Sequence, residues 1–208
     1  MQSHGPLRPY GTNEPRTIVV LGCPRGGTSA VSGVLHHSGI HMGSNLGHQY
    51  EDASFKHFLK DRKETSQQEA ESKRIEAVKQ RNLDHGTWGF KSVNVVYYFD
   101  AIRPYLRNPI FLAVTRDPLE ISQSSAKHDG KDWSLRLLEV AINHTGRVFQ
   151  TIESHADIPT LLFSIRELQT QSEQVLERLE QHVGHPINTA RCLRFLAAGS
   201  YQKPALLD

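Results

Sequence analysis

Thr17-Ile-Val-Val-Leu-Gly-Cys-Pro-Arg-Gly-Gly-Thr-Ser29 is the stretch that decides the fold. Its first six residues form a continuous apolar, β-branched run too short for a helix, which suits a strand buried on both faces of a parallel sheet. Cys23 to Gly27 is turn material. From Thr28 the pattern becomes helical, with Val31, Val34 and Leu35 on one face and a stop near Ser38-Gly39. A strand, a glycine turn and a helix in that order leave the first N–H groups of the helix without intrahelical acceptors, pointing outward together. The positive end of the helix dipole lies there too, so the turn favours a phosphate or sulfonate. Arg25 adds a charge and a fork of donors suited to tetrahedral oxyanions. Gly26 and Gly27 are expected to let an anion approach the backbone, and Thr28 and Ser29 to add hydroxyl donors.

Further along, Trp88-Gly-Phe-Lys91, Pro109 to Thr115 and Thr160 to Ser164 read as strands. Val95 to Leu106 reads as a helix. Trp133 to Ile152 reads as a long helix packed through Leu138, Ile142, Thr145, Val148/Phe149 and Ile152. Thr170 and Glu173 have capping-box spacing ahead of Val175, Leu176, Leu179 and Val183, and Gly184 ends that helix. Residues 55–83 open with Phe55, Phe58 and Leu59 and then turn strongly polar, the pattern of one or two exposed helices. The expected class is α/β: a three-layer, P-loop-like domain with a central, mostly parallel sheet flanked by helices. Residues 1–16 read as a flexible leader and 17–208 as one domain, with 53–87 a helical insertion or lid.

The totals narrow the function. The chain has 208 residues, with 24 Lys+Arg against 22 Asp+Glu, a net charge of +2. No global field draws it to nucleic acid or to an anionic membrane, so any basic chemistry is local. No apolar run approaches the roughly 20 residues of a membrane span. Residues 1–16 contain no apolar core of a secretory signal. Two cysteines, Cys23 and Cys192, make no disulfide framework, and a cytoplasmic location is expected.

The nucleotide-triphosphatase loop G-x-x-x-x-G-K-[ST] shares the spacing of Gly22 and Gly27, but Thr28 stands where that loop has its lysine. The turn instead resembles the 5′-phosphosulfate loop, P-[KR]-S-G-T-[TS], of the PAPS-dependent sulfotransferases, through Pro24, Arg25, Gly27, Thr28 and Ser29; Gly26 replaces the usual serine. Strand 109–115 runs into Arg116-Asp-Pro118, and Ser124 lies eight residues after Arg116. This is similar to the same family's 3′-phosphate motif, with Ser122 and Ser125 as near-equivalents. Gly43 to Asp52, GSNLGHQYED, resembles an N-x-x-G-x-x-E-D segment of small, bacterial-type members. Trp88-Gly-Phe-Lys91 resembles their W-G-x-K, with Ser92 in place of the usual Asp.

The resemblance implies sulfuryl transfer from PAPS, as co-substrate, to a hydroxyl or amine of a small-molecule or glycan acceptor, with no metal. It implies that Arg25, Gly26, Gly27, Thr28, Ser29, Arg116 and Ser124 hold the nucleotide. Arg25 and Lys91 would stabilise the departing phosphate, and Glu51 would be the general base. Asp52, or one of His36, His37, His41 and His48, is the alternative base, and the histidines otherwise read as surface residues. Two rivals stay open: a P-loop nucleotide kinase or NTPase, and a non-catalytic nucleotide-binding relic of the same fold.

Overall fold

The computed structural model describes residues 14–44, 46, 48–56 and 67–199. Most of the leader, and Phe58 and Leu59, therefore lie outside the described residues.

Among the described residues four strands form one sheet: β1 (Thr17–Leu21), β2 (Trp88–Lys91), β3 (Ile110–Thr115) and β4 (Thr160–Ser164). Their order is β2-β1-β3-β4 and every pairing is parallel. Alternation along the strands feeds two separate cores. Ile18, Val20, Leu112 and Phe163 point to one face, where they meet α1 (Thr28–His37), α8 (Ser172–Val183) and α9 (Thr189–Ala197). Val19, Leu21, Phe111 and Ala113 point to the other, where Val78 of α3 (Gln67–Asp84), Phe99 of α4 (Phe99–Ile102) and Val148 of α6 (Leu135–Ser154) cover them. Complete burial of β1 on both sides accounts for its uninterrupted apolar run.

Several elements differ from the sequence reading. Val95 to Leu106 is not one helix but a single 3-10 turn (Val95–Tyr97), α4 and a second 3-10 turn (Arg103–Tyr105), with Pro104 opening the last. Helix α6 buries Ala141, His144, Val148 and Thr151, while Ile142 and Phe149 of the expected face are exposed. The capping box lies at Ser164 and Glu167, starting α7 (Ile165–Thr170) at the end of β4; the Thr170 hydroxyl instead donates to Arg166 O. Arg16, assigned to the leader by composition, is buried and donates to the Val183 carbonyl at 2.8 Å.

Helix α3 is polar outside yet anchored inside. Arg74 lies over the Tyr98 ring, Arg81 over Phe55 and Trp88, and Trp88 Nε1 donates to Asn82 at 3.0 Å. Both arginines are buried, so this face of α3 is a wall of the domain.

Candidate active site

Parallel pairing brings the informative residues to one edge of the sheet. Val20 pairs with Lys91 and Leu21 with Ala113, so the loop after β1, the end of β2 and the end of β3 emerge side by side. Chain order reverses across β1, with β2 on one side and β3 on the other, and ligands of open α/β sheets bind in the crevice at such a point.

The loop itself is a tight turn in which Gly26 N donates to Cys23 O at 2.8 Å. Arg25 (φ 66°) and Gly27 (φ 101°) both take left-handed backbone. A Cβ on Gly26 would lie 2.8 Å from Cys23 O, and one on Gly27 would lie 2.6 Å from Ile165 Cδ1. The two glycines are thus required by the turn and by packing on α7, a different reason from the anion approach expected of them. The N–H of Gly26 is engaged by Cys23. The amides of Gly27, Thr28 and Ser29 precede the first helical donor, Ala30 N to Gly27 O at 3.0 Å, and so open toward the crevice. Thr28 is buried, with its methyl against Gly22.

Arg25 Nε donates to Ser124 Oγ at 3.3 Å, and Arg116 Nη1 donates to the backbone carbonyl of Arg25 at 3.2 Å. The two basic motifs, ninety-one residues apart, meet at one place. Asp117 accepts from the amides of Leu119 and Glu120 and so caps α5 (Pro118–Asp129), fixing where its serines project. Ser122 and Ser125 donate to carbonyls of their own helix; of the three serines, Ser124 is the one that meets Arg25. Arg116 Nε also donates to Glu120 Oε2 at 2.9 Å. Glu120 escaped the sequence reading, although its i, i+4 spacing from Arg116 was the available signal.

On the other flank of the loop, Lys91 is 1% exposed. Its ammonium donates to Ser29 Oγ at 3.1 Å and Gln49 O at 2.8 Å, and lies 3.4 Å from Glu51 Oε1. Glu51, 14% exposed, faces the site. Asp52 does not. It is buried against Arg81 and accepts from Ser54 N at 2.8 Å, which makes it a structural partner and the cap of α2 (Ala53–Lys56) in place of an alternative base. Burial pushes the Arg81 guanidinium down to about 10. Ser92 donates to Phe55 O at 3.1 Å and ties the end of β2 to α2. Gln49 contributes through its backbone carbonyl, for which no side-chain pattern gives a signal.

Cys23 and His37 are both packed in the interior, and the side chain of His48 lies outside the described residues. Cys23 is buried with Ile121 and Ala141, and burial raises its thiol to about 11, so it fills space. His37 is buried beside Tyr50 and Phe195, contrary to a surface reading. Among the described residues no group of three or more His, Cys, Asp or Glu side chains is placed to hold a metal ion. No described helix is long and apolar enough to cross a membrane.

Comparison with solved structures agrees with this geometry at the level of the fold. Sulfotransferase STF9 from Mycobacterium avium matches with a TM-score of 0.60 at 14% identity, over 88% of this chain and 68% of that one. The sulfotransferase domain from the curacin biosynthetic pathway matches with a TM-score of 0.55 at 15% identity, over 93% and 86%. The fold is that of bacterial sulfotransferases. A sugar kinase from Janibacter sp. HTCC2649 shares it, with a TM-score of 0.55 at 16% identity over 85% and 98%, as expected of a P-loop-like architecture. No protein-family model and no curated protein matches the sequence.

Proposed function

We propose that the protein is a sulfotransferase that moves a sulfuryl group from PAPS to a hydroxyl or amine of a small-molecule or glycan acceptor. The observation that carries this reading is the meeting of Arg25, Arg116 and Ser124 on one side of the glycine turn, with Lys91 and Glu51 on the other. Two guanidinium groups, a hydroxyl and the amides opening α1 suit a doubly phosphorylated adenosine.

PAPS, when bound, supplies the activated sulfuryl group. Arg25 and Arg116 would hold its phosphates, with the amides of Gly27 to Ser29. Glu51 would take the proton from the acceptor as its oxygen or nitrogen bonds to sulfur. Lys91 and Arg25 would stabilise the electron pair left on the departing phosphate oxygen when the S–O bond breaks. Lys91, 3.4 Å from Glu51 Oε1, also holds that carboxylate beside the glycine turn.

The kinase reading draws support from the shared fold and is opposed by Thr28, which stands buried in the lysine position. Calorimetric titration separates the two. Tight binding of adenosine 3′,5′-bisphosphate without magnesium, with ATP weak, is expected; a preference for Mg-ATP would overturn the proposal. Release of adenosine 3′,5′-bisphosphate from PAPS across an acceptor panel then distinguishes an enzyme from a binding relic.

A further inference from the structure

The residue before Glu51 and the one before that are strained. Gln49 (φ 75°) and Tyr50 (φ 58°) are consecutive non-glycine residues in left-handed backbone. Side chains with a Cβ adopt this region at a cost, and it persists only where the surroundings dictate it. Here the consequence is specific. The Gln49 carbonyl is aimed at the Lys91 ammonium at 2.8 Å, and the next side chain but one, Glu51, reaches the same ammonium.

Tyr50 holds the turn. Its side chain is fully buried, its hydroxyl shares a 3.2 Å hydrogen bond with His37 Nε2, and its ring stands edge-on to Phe195 with centroids 5.8 Å apart. His37 belongs to α1, the helix whose first turn carries Ser29, the other oxygen on Lys91. On the far side of Glu51, Asp52 is fixed by Arg81 and closes the loop through a bridge with Leu46. Burial, with His36 and Arg191 nearby, lowers the His37 pKa to about 4, so the ring is neutral and can share its hydrogen bond with the phenol.

We propose that Tyr50 and His37 are positioning residues: their hydrogen bond clamps the strained Gln49–Tyr50 turn to α1 and so sets the distance between Glu51 and Lys91. Neither side chain is placed to touch the reacting atoms. The role of the pair in proton removal rests on the sulfotransferase reading; the clamp itself does not.

The test is the acetylation rate of the Lys91 amine by acetic anhydride in the ligand-free protein, followed by mass spectrometry. Tyr50→Phe removes only the hydroxyl, and His37→Phe removes the other end of the bond. Val183→Ala, a core change in α8 that leaves the Tyr50–His37 bond in place, supplies a destabilised control. Both clamp variants are expected to expose Lys91, raising its labelling about tenfold, with Val183→Ala unchanged. They should also lower kcat for PAPS turnover at least tenfold while binding of adenosine 3′,5′-bisphosphate stays within twofold. Wild-type labelling in Tyr50→Phe, the milder change, would overturn the clamp, and so would equal acceleration in Val183→Ala. Absent nucleotide binding in the wild type would sink the sulfotransferase reading and leave the labelling result standing.

Discussion

The guanidinium of Arg116 donates to the main-chain carbonyl of Arg25. That contact reaches from the end of β3 into the glycine turn after β1, so the shape of the turn depends on a residue of another motif. The Arg25 side chain in turn reaches Ser124 on α5, which completes a closed ring of contacts around the crevice. Each arginine therefore has both a positioning role and free donor capacity for an anion.

Arg25→Ala and Arg116→Ala should each weaken binding of adenosine 3′,5′-bisphosphate by about 1.5–3 kcal/mol, the scale of hydrogen bonds to charged groups, or roughly 10- to 150-fold. Arg116→Lys should recover only part of the loss, because a lysine cannot offer one donor to the Arg25 carbonyl and others to a phosphate in a fixed plane. Isothermal titration on folded variants checks this. Unchanged affinity in both alanine variants would remove the nucleotide from this crevice.

Glu120 should act in the opposite direction. Its carboxylate occupies Arg116 Nε in an exposed i, i+4 pair, and a phosphate arriving at Arg116 meets that negative charge. Exposed pairs of this kind stabilise by only about 0.3–0.5 kcal/mol, so their loss costs the fold little. Glu120→Gln is expected to tighten nucleotide binding two- to fivefold at low ionic strength, with the gain shrinking as salt is raised. Weaker binding in this variant would mean that Glu120 orients Arg116 for the ligand.

The two neighbouring acids should separate cleanly. Asp52→Asn keeps an acceptor for Ser54 N but leaves Arg81 buried without its charge partner, a situation that costs about 3–5 kcal/mol. Glu51→Gln also removes a charge partner from buried Lys91, but Glu51 is the more exposed of the two acids and the ammonium keeps its bonds to Ser29 and Gln49, so the loss should be smaller than in Asp52→Asn. Turnover should show the reverse: on the order of 10²–10⁴ lost with Glu51→Gln, the usual contribution of a general base. Urea denaturation and PAPS turnover, measured side by side, decide it. Equal stability losses would place both acids in the frame of the fold.

Periodicity and turn chemistry made the strands, the glycine turn and the helix after it legible, because burial on both faces and helix stop signals are local properties of the chain. The break within Val95 to Leu106 was not, since Arg103-Pro104 reads as a tolerable helix position until tertiary packing divides the segment. The phase of α6 was misread for a related reason. Ile142 and Phe149 are more apolar than His144 and Thr151, yet the latter face the domain, and hydrophobicity alone cannot rank them. At the site, charged side chains at fixed spacings stood out, whereas the Gln49 carbonyl, the Tyr50–His37 bond and the burial of Arg81 against Asp52 depend on contacts between distant segments.

Acid should unfold the protein through histidines held neutral. Burial is the largest cause that lowers both His37 and His41 to about 4, against an unperturbed value near 6.5. His36 and Arg191 add to the effect at His37, while His41 stacks on His85 with centroids 3.8 Å apart and lies near Arg81. Both rings bind a proton less readily in the folded chain than in the unfolded one. Between about pH 6.5 and 4 the unfolded state thus carries more protons, and stability falls as pH falls through that window, by up to about 1.4 kcal/mol per pH unit for each group. Urea midpoints at pH 7, 6, 5 and 4.5 should trace the decline, and His41→Gln should flatten it by the share of one proton. A wild-type midpoint independent of pH from 7 to 4.5 would show that neither imidazole is held neutral by the fold.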